Sequence, residues 1–265
     1  MFAKIINCCI QNEDELEMDF QSILSSKEID NMNYNNDEEV DGVLSLFPSI
    51  YIREDERGRI KFSKDCIINY LTELSQKNFI KKYEDNYIHL SILNNNNPNN
   101  NSPLLRFEII LKKSLFKKKV PTIEELVYPI LQPELRKKYD KNFKEYEIIK
   151  LINKNTAITR MVSANQLTMI TEREFLDKKT FFFDNGVFYS FSTSIPDSFY
   201  PPKKEPVRVL NYICAMIVKE DKENFYFDSL NQVDIKMDIP EVLIVMSFPM
   251  KMKEFFDGLI EIFNK

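Results

Sequence analysis

From Glu145 to Ile235 the chain reads as a series of extended runs joined by tight turns, and one long apolar helix follows. The runs are Glu145–Asn153, Ala157–Ser163, Phe175–Phe183, Val187–Ser194, Arg208–Lys219 and Asn224–Ile235. Asp184-Asn185-Gly186 joins two of them, and Asn-Gly between apolar runs is the strongest short hairpin signal. Asp221-Lys222 predicts a second hairpin. After Pro240 the apolar residues Val242, Leu243, Met246, Met250, Phe255, Phe256, Leu259 and Phe263 predict a terminal helix, which Pro249 should kink or split. Short turns make neighbouring strands antiparallel. Strands in series between a first and a last helix define an α+β class.

The first helix is predicted over Ser63–Gln76, where Ile67, Tyr70, Leu71 and Leu74 share a stripe and Ser63 can cap it. Asn78–Leu93 alternates apolar and polar residues and predicts a hairpin turned at Glu84-Asp85-Asn86. The Asn-rich stretch 94–102 predicts a loop inserted before a strand at Leu105–Leu111. Further on, Ile123, Leu126, Val127 and Ile130 recur at helical spacing behind the start signal Pro121-Thr122, with Glu124 and Glu125 in the first turn. Pro129 and Pro133 should break that helix. A second short helix over Glu134–Lys141 would set Arg136 and Asp140 one turn apart on one face.

Five ordered segments then point to a family. Arg136-Lys137-Lys138-Tyr139-Asp140, Arg173-Glu174-Phe175, Pro201-Pro202, Val207-Arg208 and Asp238-Ile239-Pro240 follow one another at the spacing of START lipid-transfer domains, which this chain resembles from about Ile60 to Lys265. Tyr139 stands in place of the family's usual Trp, and Glu174 in place of its usual Asp. The resemblance implies a helix-grip fold, a curved antiparallel sheet wrapped around a long C-terminal helix with a lipid tunnel. It divides the chain into an N-terminal extension, 1–59, and a START-like domain, 60–265.

Other chemistries lack their residues. One histidine and four cysteines, two of them adjacent, offer neither a zinc cluster nor a disulfide framework. Four glycines cannot build a phosphate loop or a dinucleotide fingerprint. No Gly-x-Ser-x-Gly elbow occurs. No enzyme, cofactor or nucleic-acid partner is expected. No apolar stretch approaches the length of a bilayer span, and the opening residues make a poor secretory signal. Residues 1–59 hold 14 acidic and 5 basic side chains, whereas 60–265 hold 27 and 31. The acidic leader thus precedes a mildly basic domain, whose Lys112–Lys113 and Lys117–Lys119 suit peripheral contact with an anionic membrane surface. A cytoplasmic monomer is expected.

For the ligand, a mostly apolar pocket with a few placed polar groups is required. The resemblance maps headgroup contacts onto Arg136 and Asp140, and a choline-cage Tyr onto Tyr212; its strand-start and Val-Arg segments bring Phe175 and Arg208. Lys179 stands where sterol-binding members carry an Arg. Met161, Val162 and Ala164 occupy the stretch where a cage Trp is expected, which argues against choline specificity. Met246 and Met250 add adaptable thioethers for a pocket wall. The expected function is binding of one lipid, most readily a phospholipid, and its transfer between membranes. The alternatives are a lipid-sensing or interaction module that transfers nothing, or a sterol or ceramide carrier.

Overall fold

The computed structural model describes residues 64–94, 102–153, 155–164, 171–195, 197 and 200–265. The acidic leader, the cap at Ser63 and most of the Asn-rich insertion lie outside the described residues.

Helix α1 (Lys64–Ser75) forms as its stripe predicts, and buries Ile67, Tyr70, Leu71 and Leu74. Each of these side chains stabilises the fold by about 1.5–3 kcal/mol on burial. The hairpin β1 (Ile80–Glu84) and β2 (Ile88–Leu93) turns at Asp85, whose Oδ1 accepts hydrogen bonds from the Tyr87 and Ile88 amides at 2.7 Å each. Strand β3 (Leu104–Lys112) follows.

Next come two helices, α2 (Ile123–Leu131) and α3 (Pro133–Tyr139). Thr122 caps α2 through a capping box: its hydroxyl accepts from the Glu125 amide at 3.2 Å, and the Glu125 carboxylate accepts from the Thr122 amide at 2.9 Å. Pro129 does not end this helix; it is buried inside it. The apolar stripe around it is seated in the core, and packing overrides a local cost of about 3 kcal/mol. Pro133 opens α3 at its first position, where a missing amide costs nothing.

Strands β4 (Phe143–Asn153), β5 (Thr156–Ser163), β6 (Arg173–Asp184), β7 (Val187–Ser194), β8 (Val207–Arg208), β9 (Leu210–Glu220) and β10 (Asn224–Asp234) precede α4 (Glu241–Asn264). The β6–β7 turn has positive φ at Asn185 and at Gly186, as an Asn-Gly hairpin requires. Helix α4 runs unbroken through Pro249, so the expected split is absent.

The strands form one sheet in the order β1-β2-β3-β10-β9-β7-β6-β5-β4, antiparallel along this path. The run expected from Arg208 is divided: β8 pairs parallel with the start of β6, and β9 begins after it. The sheet curves around α4 as an open structure, not a closed barrel. Its concave face packs against α2 and α4 through Leu90, Phe107, Ile109, Phe188, Val218, Phe227, Phe256 and Leu259. Its convex face packs against α1 through Leu104, Phe191, Ile213, Ala215 and Leu230.

Candidate functional site

Because side chains alternate across a strand, register assigns residues to the two faces in rows. Phe183, Phe188, Val218, Phe227, Ile109 and Ile88 are successive cross-strand partners on the concave face, and this row is wholly apolar. Two residues along lies Phe181, Ser190, Met216, Ser229, Phe107 and Leu90, a mixed row. Two further along, Lys179, Ser192, Cys214 and Asn231 pair across four strands as a polar band. Beyond that, Thr159, Asp177 and Ser194 are partners. The wall therefore grades from hydrocarbon to polar along one direction, the polarity of an amphiphile.

The polar end carries a buried cluster. Asp177 accepts from the Ser194 hydroxyl at 3.1 Å and from the Asn211 side-chain amide at 2.7 Å. Burial pushes its carboxyl up to about 6, against the pull of those two hydrogen bonds. The side-chain oxygen of Asn211 is buried without a hydrogen-bond partner.

Helix α3 faces this end. Arg136 donates from Nε to Asp140 at 3.2 Å and from Nη1 to the Ile130 carbonyl at 3.5 Å. Asp140, 2% exposed, also accepts from the Asn142 amide at 3.0 Å. Burial is the largest influence on the Arg136 guanidinium and would lower it, but the Asp140 charge and hydrogen bond together with the Tyr139 and Tyr146 phenols outweigh it, and the net shift is upward. The guanidinium carbon stands 4.4 Å from the ring centre of Phe143, 5.3 Å from Phe255 and 5.8 Å from Tyr146. Lys179 approaches Tyr146 too, with Nζ 3.5 Å from its hydroxyl and 5.9 Å from the ring centre.

Cys214 marks an open position on the polar band. It sits on β9, between two paired neighbours, yet it is exposed. Burial pushes its thiol up, while the charges of Lys179 and Arg136 pull it back. The concave face is therefore open at this position, on the polar band that also carries Lys179. The Lys179 and Arg136 charges thus both reach this position.

The expected site residues divide into two groups. Arg136, Asp140 and Lys179 converge, and Phe175 joins the same face as partner of Met161. Tyr212 is buried at the register shift between β9 and β10, where burial pushes its phenol up. Arg208 is corrected: it pairs with Glu174, which alternation puts on the convex face. There its Nε donates to Glu174 at 2.9 Å and its Nη1 to Asp197 at 3.1 Å. Met246 and Met250 are corrected as well. They are 70% and 54% exposed, on the stripe that continues through Glu254, Asp257 and Glu261. Met252, 200° around the helix from Met250, packs on the core instead. Two of the lysines expected to be free for a membrane are engaged, Lys113 with Glu220 at 2.5 Å and Lys119 with Glu125 at 2.7 Å.

Sequence reasoning missed Tyr146, Asp177, Asn211, Ser192 and Cys214. One signal was present: Ser190, Ser192 and Ser194 alternate along β7, a polar period of two on a strand whose other face is apolar at Phe191.

A curved sheet gripping a helix, with a wall graded from apolar to polar, defines a ligand-binding domain for amphiphiles. The chain belongs to the START domain family, whose pattern matches residues 90–264. That family is one of lipid-binding and lipid-transfer domains. Among solved structures, the chain is similar to human StAR-related lipid transfer protein 5, with a TM-score of 0.60 and 21% identity over 74% of this chain and 92% of that one. It is similar to human STARD10, with a TM-score of 0.62 and 17% identity over 76% and 82%. A STAR-related lipid transfer protein from Xanthomonas axonopodis gives a TM-score of 0.52 and 13% identity over 71% and 100%. These likenesses carry the fold. No curated protein matches the sequence. No helix among the described residues is long and apolar enough to cross a membrane.

Proposed function

We propose that this domain carries one phospholipid between membranes, with the acyl chains along the apolar rows and the phosphate at Arg136. The observation that supports it is the interior Arg136, whose Nε is held by Asp140 while its guanidinium faces the polar end of the wall. A guanidinium can fork two donors onto a phosphate, and a charge-assisted bond in a dry site is among the stronger polar contacts. Asp140 neutralises Arg136 when no lipid is bound, since an unpaired buried charge is strongly unfavourable. The domain acts as a carrier and not a catalyst, docks on anionic surfaces through its basic residues, and works as a monomer in the cytoplasm.

A ceramide or sterol carrier is the competing reading, favoured by the hydroxyl and amide groups of Ser194 and Asn211 around Asp177. Movement of labelled lipids from donor to acceptor vesicles decides between them. The full-length protein should accelerate phospholipid, and Arg136→Leu should slow it while the fold persists. Equal transfer by Arg136→Leu would remove the phosphate contact, and preference for ceramide or sterol would install the competitor. A lipid that co-purifies but never moves would make the domain a sensor. Vesicle binding indifferent to anionic lipid and to salt would remove the electrostatic docking.

A further inference from the structure

Resting on the phospholipid reading above, we infer that the headgroup seat selects a phosphomonoester lipid, of the phosphatidic acid class, over one that ends in a quaternary ammonium. Two cations share the seat. Arg136 and Lys179 approach the same ring, 5.8 Å and 5.9 Å from the centre of Tyr146. Neither nearby carboxylate is at hydrogen-bonding distance from Lys179. Asp140 spends its oxygens on Arg136 and the Asn142 amide, and Asp177 spends its own on Ser194 and Asn211. Among the described residues, the hydrogen bond of the Lys179 ammonium is the long one to the Tyr146 hydroxyl, at 3.5 Å.

A half-buried ammonium with so weak a partner gains most from an anionic ligand. A phosphodiester brings one negative charge, which Arg136 can meet through the donors that Asp140 leaves open. A phosphomonoester brings close to two at neutral pH, with three acceptor oxygens, and matches both cations.

The aromatic groups argue in the same direction. A quaternary ammonium is recognised by aromatic faces. Here the rings of Phe143, Phe255 and Tyr146 already hold the Arg136 guanidinium at 4.4, 5.3 and 5.8 Å. A choline would have to displace that cation from the rings and settle beside the Lys179 ammonium.

Transfer of labelled phosphatidic acid and phosphatidylcholine by the full-length protein tests the inference. Donor vesicles are balanced with phosphatidylglycerol to equal surface charge, so that docking is held constant. Phosphatidic acid should move about tenfold faster, the worth of one added charge-assisted contact. Lys179→Met should shrink that ratio, and Lys179→Arg should restore it. Alkylation of Cys214 supplies an independent readout, because Cys214 lies two strands from Lys179 in the same row, about 10 Å away. Phosphatidic acid should protect it at concentrations where inorganic phosphate and glycerol phosphate do not.

Equal or faster transfer of phosphatidylcholine overturns the inference and leaves the phospholipid carrier standing. Survival of the ratio in Lys179→Met overturns it in the same way. Protection by inorganic phosphate as effective as by the lipid would assign the seat to free phosphate. Failure to move any phospholipid removes the carrier reading and this one with it.

Discussion

Gly258 of α4 lies against Tyr139 of α3 so closely that a Cβ at Gly258 would stand 2.9 Å from the Tyr139 carbonyl oxygen. The same Cβ would be 3.4 Å from Tyr139 Cβ and Cδ2. The two helices that close the polar end of the site therefore touch through a glycine. Tyr139 is the C-terminal residue of α3, one before Asp140, so this contact also sets where the Arg136–Asp140 pair sits.

Gly258→Ala should destabilise the fold, although alanine favours a helix by about 1 kcal/mol. The obstacle is backbone, which cannot rotate away, and overpacking of this kind costs about 1–3 kcal/mol. The net loss of up to about 2 kcal/mol lowers the melting temperature by up to about 8 °C in a domain of this size. Thermal denaturation followed by circular dichroism is the check. An unchanged or raised melting temperature would mean that α3 and α4 separate at no cost.

Glu174 is 1% exposed and ties two arginines together on the convex face. It accepts from Arg160 and from Arg208 Nε at 2.9 Å, while Arg208 Nη2 stands 2.7 Å away without hydrogen-bond alignment. Arg160 also reaches Glu145 at 2.6 Å and Glu147 at 2.9 Å. Glu174→Gln should cost about 1–3 kcal/mol, because it removes the carboxylate the two arginines share while Glu145, Glu147 and Asp197 still partner them. Urea denaturation measures it. Transfer by the surviving folded fraction should keep its lipid preference, since the network is not part of the concave wall; a changed preference would return Arg208 to the binding site.

Asp177 gives the protein a pH-dependent stability of defined sign. Its carboxyl is raised by burial to about 6 in the folded state, so the folded protein binds its proton more tightly than the unfolded chain does. The stabilisation is complete below the ordinary carboxylate range near pH 4 and is lost as pH rises to about 6. Asp177→Asn should remove that slope, which amounts to about 2–3 kcal/mol across the window. Denaturant midpoints of parent and variant between pH 4 and 8 make the comparison. Parallel curves would mean that Asp177 is solvated in the native protein.

Cys214 reports on the polar band of the concave wall. In a background with Cys8, Cys9 and Cys66 replaced by serine, a small alkylating reagent should modify it in the lipid-free protein. The reaction should need a higher pH than a free thiol, because burial raises the group. Loading with phospholipid should suppress the modification, as mass spectrometry would show. Modification at equal rates with and without lipid would place the ligand elsewhere.

The amino-acid sequence determined the elements and their local contacts. Alternation and the Asn-Gly turn specified the β6–β7 hairpin, the stripe Ile67, Tyr70, Leu71 and Leu74 specified α1, and i,i+4 spacing specified the Arg136–Asp140 pair. Each of these depends on residues a few positions apart. Tertiary structure alone decided which faces met. Met246 and Met250 turned outward because the phase of α4 was set by Phe255, Phe256 and Leu259 in the core. Arg208 went to the convex side because parallel pairing placed it opposite Glu174. Lys179, Ser192, Cys214 and Asn231 became one polar band because register aligned four strands drawn from across 53 positions of the chain. The identity of a cross-strand partner lies outside any local window, since a slip of one residue reverses the face of every side chain on a strand.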